Sequence, residues 1–284
     1  MTESIPLPPG FRVGDVLAFH ARDAEGVAER VDGNRFRKGI MVDGVAVLVD
    51  VTLEADVAHC TLTPAAPDAA RAALPGMLGL CIDPAPFEAA VRNDPLMGAL
   101  VARTPGLRIV QSASVFEALT WAIIGQQINL PFAISLRRTL ILQAGRQHSS
   151  GIWCYPGAAD VASLAIDDLT TRKFSRAKAE TLLRLAQLVV SGALSLAADA
   201  PPDDVKARLL AIKGIGPWTV NYALLRGYGY ADCSLHGDVA VRAALQRLLG
   251  EDVKPTIART EALLVHYAPH RTMAAAYLWA SLAQ

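Results

Sequence analysis

The stretch Leu209-Leu-Ala-Ile-Lys-Gly-Ile-Gly-Pro-Trp-Thr-Val-Asn-Tyr222, followed by Leu235-His-Gly-Asp-Val239, decides how this chain is read. Apolar residues recur at helical spacing on both sides of Gly214-Ile-Gly216, which predicts a helix, a hairpin and a second helix. Pro217 suits the first turn of that second helix, where its missing N–H costs nothing. Gly214 and Gly216 permit left-handed backbone angles and a close approach to another surface. The N–H groups freed by the turn and the helix start then face outward, an arrangement that holds a phosphate. Lys213 and Thr219 add a charge and a hydroxyl. Downstream, Asp238 stands at the start of the amphipathic run Val239 to Leu249. Taken singly, a Gly-x-Gly between helices is more often a tight turn and nothing else, and an aspartate in this position is more often an N-cap.

The rest of the chain supplies the setting. A length of 284 residues suits two modest domains or three small ones, and 52% hydrophobic with 19% charged residues describes a folded rather than a disordered chain. Zero formal net charge conceals a division, since residues 1–100 carry 8 basic and 14 acidic side chains and the remainder 19 and 13. The back portion is therefore basic enough to meet a polyanion, although a moderate basic surplus is also common on solvated helices. The first ten residues lack the basic-then-apolar pattern of a secretory signal and no apolar run is long enough to span a bilayer, so a cytoplasmic location without membrane contact is expected. Cys60, Cys81, Cys154 and Cys233 lie too far apart to suggest a disulfide framework, a zinc site or an iron–sulfur cluster.

Alternation and β-branched residues from about Val27 to Pro64, with Asp32-Gly33 and Asp43-Gly44 between apolar stretches, predict an antiparallel sheet. Its strands are expected at Ile40 to Val42, Val45 to Val51 and Val57 to Leu62, with helices near Gly14–Arg22 and Pro67–Leu80 packed on them. Beyond Pro84 the period becomes helical, with segments such as Ser114–Gln127, Ala158–Asp168, Pro217–Gly227 and Arg271–Ala283. The fold class is α+β, with an acidic sheet domain over residues 1–85 and an all-helical region over 86–284.

The string Leu-x-x-Ile-x-Gly-Ile-Gly-x-x-Thr-Val resembles the helix-hairpin-helix element, whose hairpin grips one DNA strand through backbone contacts without reading sequence. That resemblance implies a monovalent cation held by main-chain carbonyls, by position those of Leu210, Ile212 and Ile215. The hairpin together with Asp238 resembles the helix-hairpin-helix (HhH-GPD) superfamily of DNA glycosylases, which carry a Gly/Pro-rich loop and an essential aspartate. Thr104-Pro-Gly-Leu-Arg108, Ile124-Gly-Gln-Gln-Ile128, Ser175-Arg-Ala-Lys-Ala-Glu180 and Leu225-Arg-Gly-Tyr228 extend the likeness over most of the chain. With the acidic domain in front, the closest branch is the bacterial 3-methyladenine DNA glycosylase II type, which places a sheet domain resembling half a TATA-binding protein before two helical parts flanking a cleft.

The resemblance implies that Asp238 is catalytic, stabilising the oxocarbenium character of the sugar as the N-glycosidic bond breaks, with activation of water as a secondary role. Trp218 and Tyr222 share a helix face and are expected in a base pocket with Trp279 from the last helix and Phe19 from the front domain, although core packing is the better guess for any one of them alone. Such a pocket would attract a cationic alkylated purine flipped out of the stack. Trp218 stands where lyase-active members carry a lysine, so hydrolysis without a covalent intermediate and no required cofactor are expected. Gln127 falls at the wedge position that fills the gap left by the base, where the best-known relatives have leucine, and Val239 replaces an aromatic. The expected partner is duplex DNA carrying damaged bases, met by a monomer in the bacterial nucleoid. The other readings are a helix-hairpin-helix module that only binds DNA, or a glycosylase for deaminated or oxidised bases.

Overall fold

Asp43 and Gly44 both adopt left-handed angles, with φ of 49° and 79°, which matches the twist of a two-residue hairpin. They join β3 (Arg35–Val42) to β4 (Val45–Leu53) in a register that pairs Val42 with Val45. In this computed structural model, which describes residues 2–65, 68–197 and 199–282, that hairpin is the centre of a twisted sheet. β5 (Val57–Thr63) pairs with the far side of β4, and β1 (Thr2–Pro6) closes that edge, while β2 (Glu29–Asp32) pairs with β3. Val47, Val49, Val51 and Leu53 alternate inward along β4 and are buried. They pack with Phe36, Val16 and Met77, so the Val13–His20 and Leu74–Met77 helices cover one face. Neither β1 nor β2 has the run of β-branched residues that would have marked it in sequence.

The region 86–284 is not wholly helical, contrary to expectation. It returns two short strands, β6 (Arg146–Gln147) and β7 (Trp153–Tyr155), to the sheet, with β7 running parallel to β3. The docking depends on Gly39, because a Cβ there would lie 2.3 Å from the carbonyl oxygen of Trp153. Three residues offer no period to read, so the strand exists only through this long-range pairing.

The helical part is built round Val115–Gly125, whose residues 115–124 are buried on every side. Several expected helices are interrupted. Ala158–Asp168 divides into Ala158–Ala162 and Ile166–Thr170, because Asp168 accepts the Ala165 N–H at 2.8 Å and starts a new helix. Of Pro67–Leu80, Pro67 lies outside the described residues and the remainder divides into Asp68–Ala72 and Leu74–Met77. The last helix runs Arg271–Ser281, with Ala283 outside the described residues. A further helix, Gly98–Arg103, is too short to show periodicity in the sequence.

Sheet and helices meet across buried charges. Lys38 on β3 donates to Glu29 on β2 and to Glu117 on the central helix, at 2.7 Å each. Arg137, on the Leu130–Ala144 helix, lies 3.1 Å from Glu29 and 3.0 Å from Glu117. All four side chains are buried, two of each sign, so the joint is electrically neutral. Among the described residues no helix is long and apolar enough to cross a membrane.

Candidate active site

The hairpin forms between the Pro202–Leu210 and Pro217–Ala223 helices. The Ile215 N–H closes the turn on the Ile212 carbonyl at 3.0 Å. Gly214 takes φ +97°, and a Cβ on it would fall 2.1 Å from Thr181 Oγ1. Glycine is required there both for the angle and for the contact with the Arg176–Val190 helix. Gly216 differs from expectation. It is the extended N-cap of the second helix, with φ −104°, and nothing lies within 4 Å of where its Cβ would be. Its use is open space at a helix N-terminus rather than a left-handed turn.

Lys213 is exposed at the tip, and its carbonyl accepts from Arg184 at 3.2 Å. Thr219 is buried, and its hydroxyl accepts from Gln126 Nε2 at 2.9 Å. The same amide reaches the Gly214 carbonyl at 3.0 Å, so Gln126 ties the hairpin to the end of the central helix. Thr219 is thus part of that tie rather than a hydroxyl displayed on the surface. Lys178 completes the junction by donating to the carbonyls of Ile124 and Gln126 at 2.5 and 2.6 Å. Burial lowers the pKa of its ammonium, and it serves as a helix C-cap instead of facing outward.

Beside the hairpin opens a cavity of about 950 Å³, lined by residues of the central helix end, the hairpin helix, the Asp238 turn and the last helix. Asp238 is on its wall and is 8% exposed. It caps the Val239–Leu249 helix, with Oδ1 accepting the Ala240 and Val241 N–H groups at 2.9 Å each. Trp279 Nε1 also donates to Oδ1 at 3.1 Å, and Trp218 Nε1 donates to Oδ2 at 2.7 Å. The cap reading of Asp238 is therefore correct but incomplete, because two indoles on the cavity wall hold the same carboxylate.

The Trp218 and Tyr222 rings lie 5.4 Å apart and those of Tyr222 and Trp279 lie 6.3 Å apart, so three of the four expected pocket aromatics come together. The Tyr222 hydroxyl accepts from Trp121 Nε1 at 2.8 Å, which fixes the ring. Phe19 stands one layer behind. The Arg22 guanidinium covers its ring, with Cζ 3.6 Å from the centroid, and it is Arg22 that lines the cavity. The hairpin helix continues as a π-helical turn over Leu224–Tyr228, which brings Arg226 to the same wall.

Gln127 is exposed at the rim in a left-handed conformation, φ +55°. Leu130 and Val239 flank the opening, 58% and 63% exposed, large for apolar side chains. Arg22, Arg226, Trp121, Gln126 and Leu130 were not singled out from the sequence. Gln126 and Arg226 carried a signal, their places in the Ile124-Gly-Gln-Gln-Ile128 and Leu225-Arg-Gly-Tyr228 strings.

This architecture is shared with known proteins. The 3-methyladenine DNA-glycosylase of Archaeoglobus fulgidus superposes with a TM-score of 0.83, covering 98% of this chain and 97% of that one at 21% identity. A DNA-3-methyladenine glycosylase of Bacillus subtilis is 32% identical over 202 residues, 69% of this chain and 67% of the relative. Another B. subtilis relative, YfjP, is 32% identical over 189 residues, 66% of this chain and 65% of its own length. The chain thus spans about two thirds of the length of these relatives. The model of the HhH-GPD superfamily base excision DNA repair proteins matches residues 120–270, just over half of the chain and all of the hairpin and Asp238 region. On that match and those identities, the chain belongs to the HhH-GPD superfamily of base excision DNA repair proteins.

Proposed function

We propose that the protein is a monofunctional DNA glycosylase that removes alkylated bases, of the 3-methyladenine and 7-methylguanine kind, from duplex DNA by hydrolysis. The observation that carries this reading is the placement of Asp238, a carboxylate held by two indoles and a helix N-terminus on the wall of an aromatic cavity. A module that only bound DNA would gain nothing from a carboxylate turned toward a polyanion. The names of the B. subtilis relatives point the same way.

The geometry suits each step. Oδ1 accepts three N–H groups whereas Oδ2 accepts one, so Oδ2 keeps capacity for a water molecule. As the bond from C1′ to the base nitrogen breaks, its electron pair leaves with the base and the sugar gains positive charge. The fixed carboxylate stabilises that charge without reorganising, and water then bonds to C1′ and gives up a proton. Trp218 offers a ring and no amine where a Schiff base would need one, so the abasic product is released with its backbone intact. Incubation with methylated, deaminated and oxidised duplexes, followed by separation of free bases, tests the reading. Release of methylated purines without strand cleavage or borohydride trapping is expected, whereas release of no base at all leaves only a binding module.

The phosphate grip is assigned to the hairpin, with the Gly216 end of the second helix open to the backbone and a monovalent cation beside it on the carbonyls of Leu210, Ile212 and Ile215. The Ile212 carbonyl spends one lone pair on the Ile215 N–H and keeps the other. Gly214→Ala is expected to weaken binding to an abasic-site duplex by roughly 10- to 100-fold, since strain of about 1–3 kcal/mol falls on the turn. Thr181→Ala would relieve the overlap but not the angle, and so restores only part. In the same titrations, potassium should support tighter binding than tetramethylammonium at equal ionic strength. Unchanged affinity in the glycine variant would move the grip elsewhere, and equal affinity in the two salts would remove the cation.

A further inference from the structure

Two arginines share the cavity with Asp238, and neither makes an ion pair among the described residues, Glu29 and Glu117 acting on Arg22 only from a distance. Arg22 donates through Nε to the Phe19 carbonyl at 2.7 Å, with its guanidinium over the Phe19 ring and 5.3 Å from that of Trp121. Arg226 donates through Nη1 to the Val110 carbonyl at 2.5 Å and lies 5.6 Å from the Trp279 ring. Its Nε is buried without a partner. Burial lowers both pKa values, and the nearest aid to Arg226 is the Tyr222 hydroxyl. A guanidinium keeps its proton in proteins, so the wall carries two fixed cations with several N–H donors uncommitted. Desolvated cations of this kind are costly unless a ligand supplies acceptors.

An aromatic wall alone does not distinguish the two alkylated purines, both of which are cationic in DNA, whereas the two arginines add hydrogen-bond donors to it. We propose that Arg22 and Arg226 determine specificity by pairing with a carbonyl edge of the flipped base, so that 6-keto purines, 7-methylguanine and the deaminated purine hypoxanthine, are preferred over 3-methyladenine. The amino group of 3-methyladenine meets the guanidinium groups donor to donor. A keto base accepts from them, and its oxygen gains negative charge as the electron pair of the glycosidic bond moves into the ring. The base then takes a proton from solvent where it leaves as an anion, and water supplies the oxygen bonded to C1′.

This inference rests on the glycosylase reading, and one experiment separates the two. Duplex DNA treated with a methylating agent carries 7-methylguanine and 3-methyladenine together, so both released bases are measured in one reaction. Arg226→Met and Arg22→Met should each lower the ratio of 7-methylguanine to 3-methyladenine released by about 10- to 100-fold, the worth of a charged hydrogen bond. Release from a hypoxanthine duplex should show the same fall relative to 3-methyladenine, and Arg226→Lys should recover part of it because the charge returns. If both bases fell in step, the arginines would be scaffold and the proposal would be overturned. Failure of the unmutated protein to release either base would instead remove the glycosylase reading itself.

Discussion

Replacing Asp238 by asparagine leaves DNA binding close to wild-type strength and lowers base release from methylated duplex DNA by about 10²- to 10³-fold, the usual effect of removing one preorganised electrostatic group. The variant is informative because most of the local structure survives it. Asparagine caps helices as well as aspartate does, so the Ala240 and Val241 N–H groups keep an acceptor. The amide oxygen goes to that side, where Trp279 also donates. The amide nitrogen then faces Trp218 Nε1 donor to donor, which displaces one wall of the pocket as well as removing the charge. Trp218→Phe removes that N–H and leaves a smaller aromatic ring on the wall, and it should cost far less than the loss of the carboxylate. Single-turnover release and affinity for an abasic-site duplex, measured side by side, check the prediction. Wild-type release from Asp238→Asn would show that the carboxylate is only a cap.

What could be read from the sequence follows from the range over which each feature is determined. The hairpin, Pro217 and the Asp238 cap lie within thirty residues and are dictated by glycine angles, proline stereochemistry and helix starts, and each stands where it was expected. Trp218 and Tyr222 follow from helical spacing, while Trp279 required the family likeness because its helix arrives from far along the chain. Phe19 failed for a similar reason. Which of Phe19 and Arg22 reaches the cavity depends on how the Val13–His20 helix packs on the rest, and no local pattern records that. Arg226 depends on one extra residue in a helical turn, since an ordinary α-turn after Ala223 would rotate it away. The strand Trp153–Tyr155 exists only because Gly39 leaves room for it. Charge was the least legible feature. Glu29, Lys38, Glu117 and Arg137 look in sequence like solvated residues, yet all are buried between the acidic and basic parts of the chain.

Lys38→Met should lower the unfolding free energy by about 3–5 kcal/mol, the cost of removing one partner from a buried ion network. Methionine fills the volume of the lysine stem, so the loss is electrostatic rather than a cavity. Lys38 Nζ bridges Glu29 and Glu117, and without it Arg137 is the one remaining fixed cation against two buried carboxylates, beside His20, which lies 3.3 Å from Glu29 and whose pKa burial lowers. In the intact protein, burial pushes both carboxyl pKa values up, but Lys38 and Arg137 outweigh it, and Glu29 is held well below the ordinary range with Glu117 also lowered. A depressed carboxyl contributes stability that is present above its unfolded pKa and lost as pH falls through the folded value. Without Lys38 the opposing burial effect prevails, and one carboxyl binds a proton more readily in the folded state. The difference in stability between the two proteins should therefore be largest near neutral pH and narrow as pH falls toward 4. A gap independent of pH would show that packing, not charge, holds the joint. Glu117→Gln in the Lys38→Met background removes the excess carboxylate and should recover part of the loss. Glu117 lies on the helix whose end presents Gln126 and Gln127 to the cavity, so base release should follow the same order as stability.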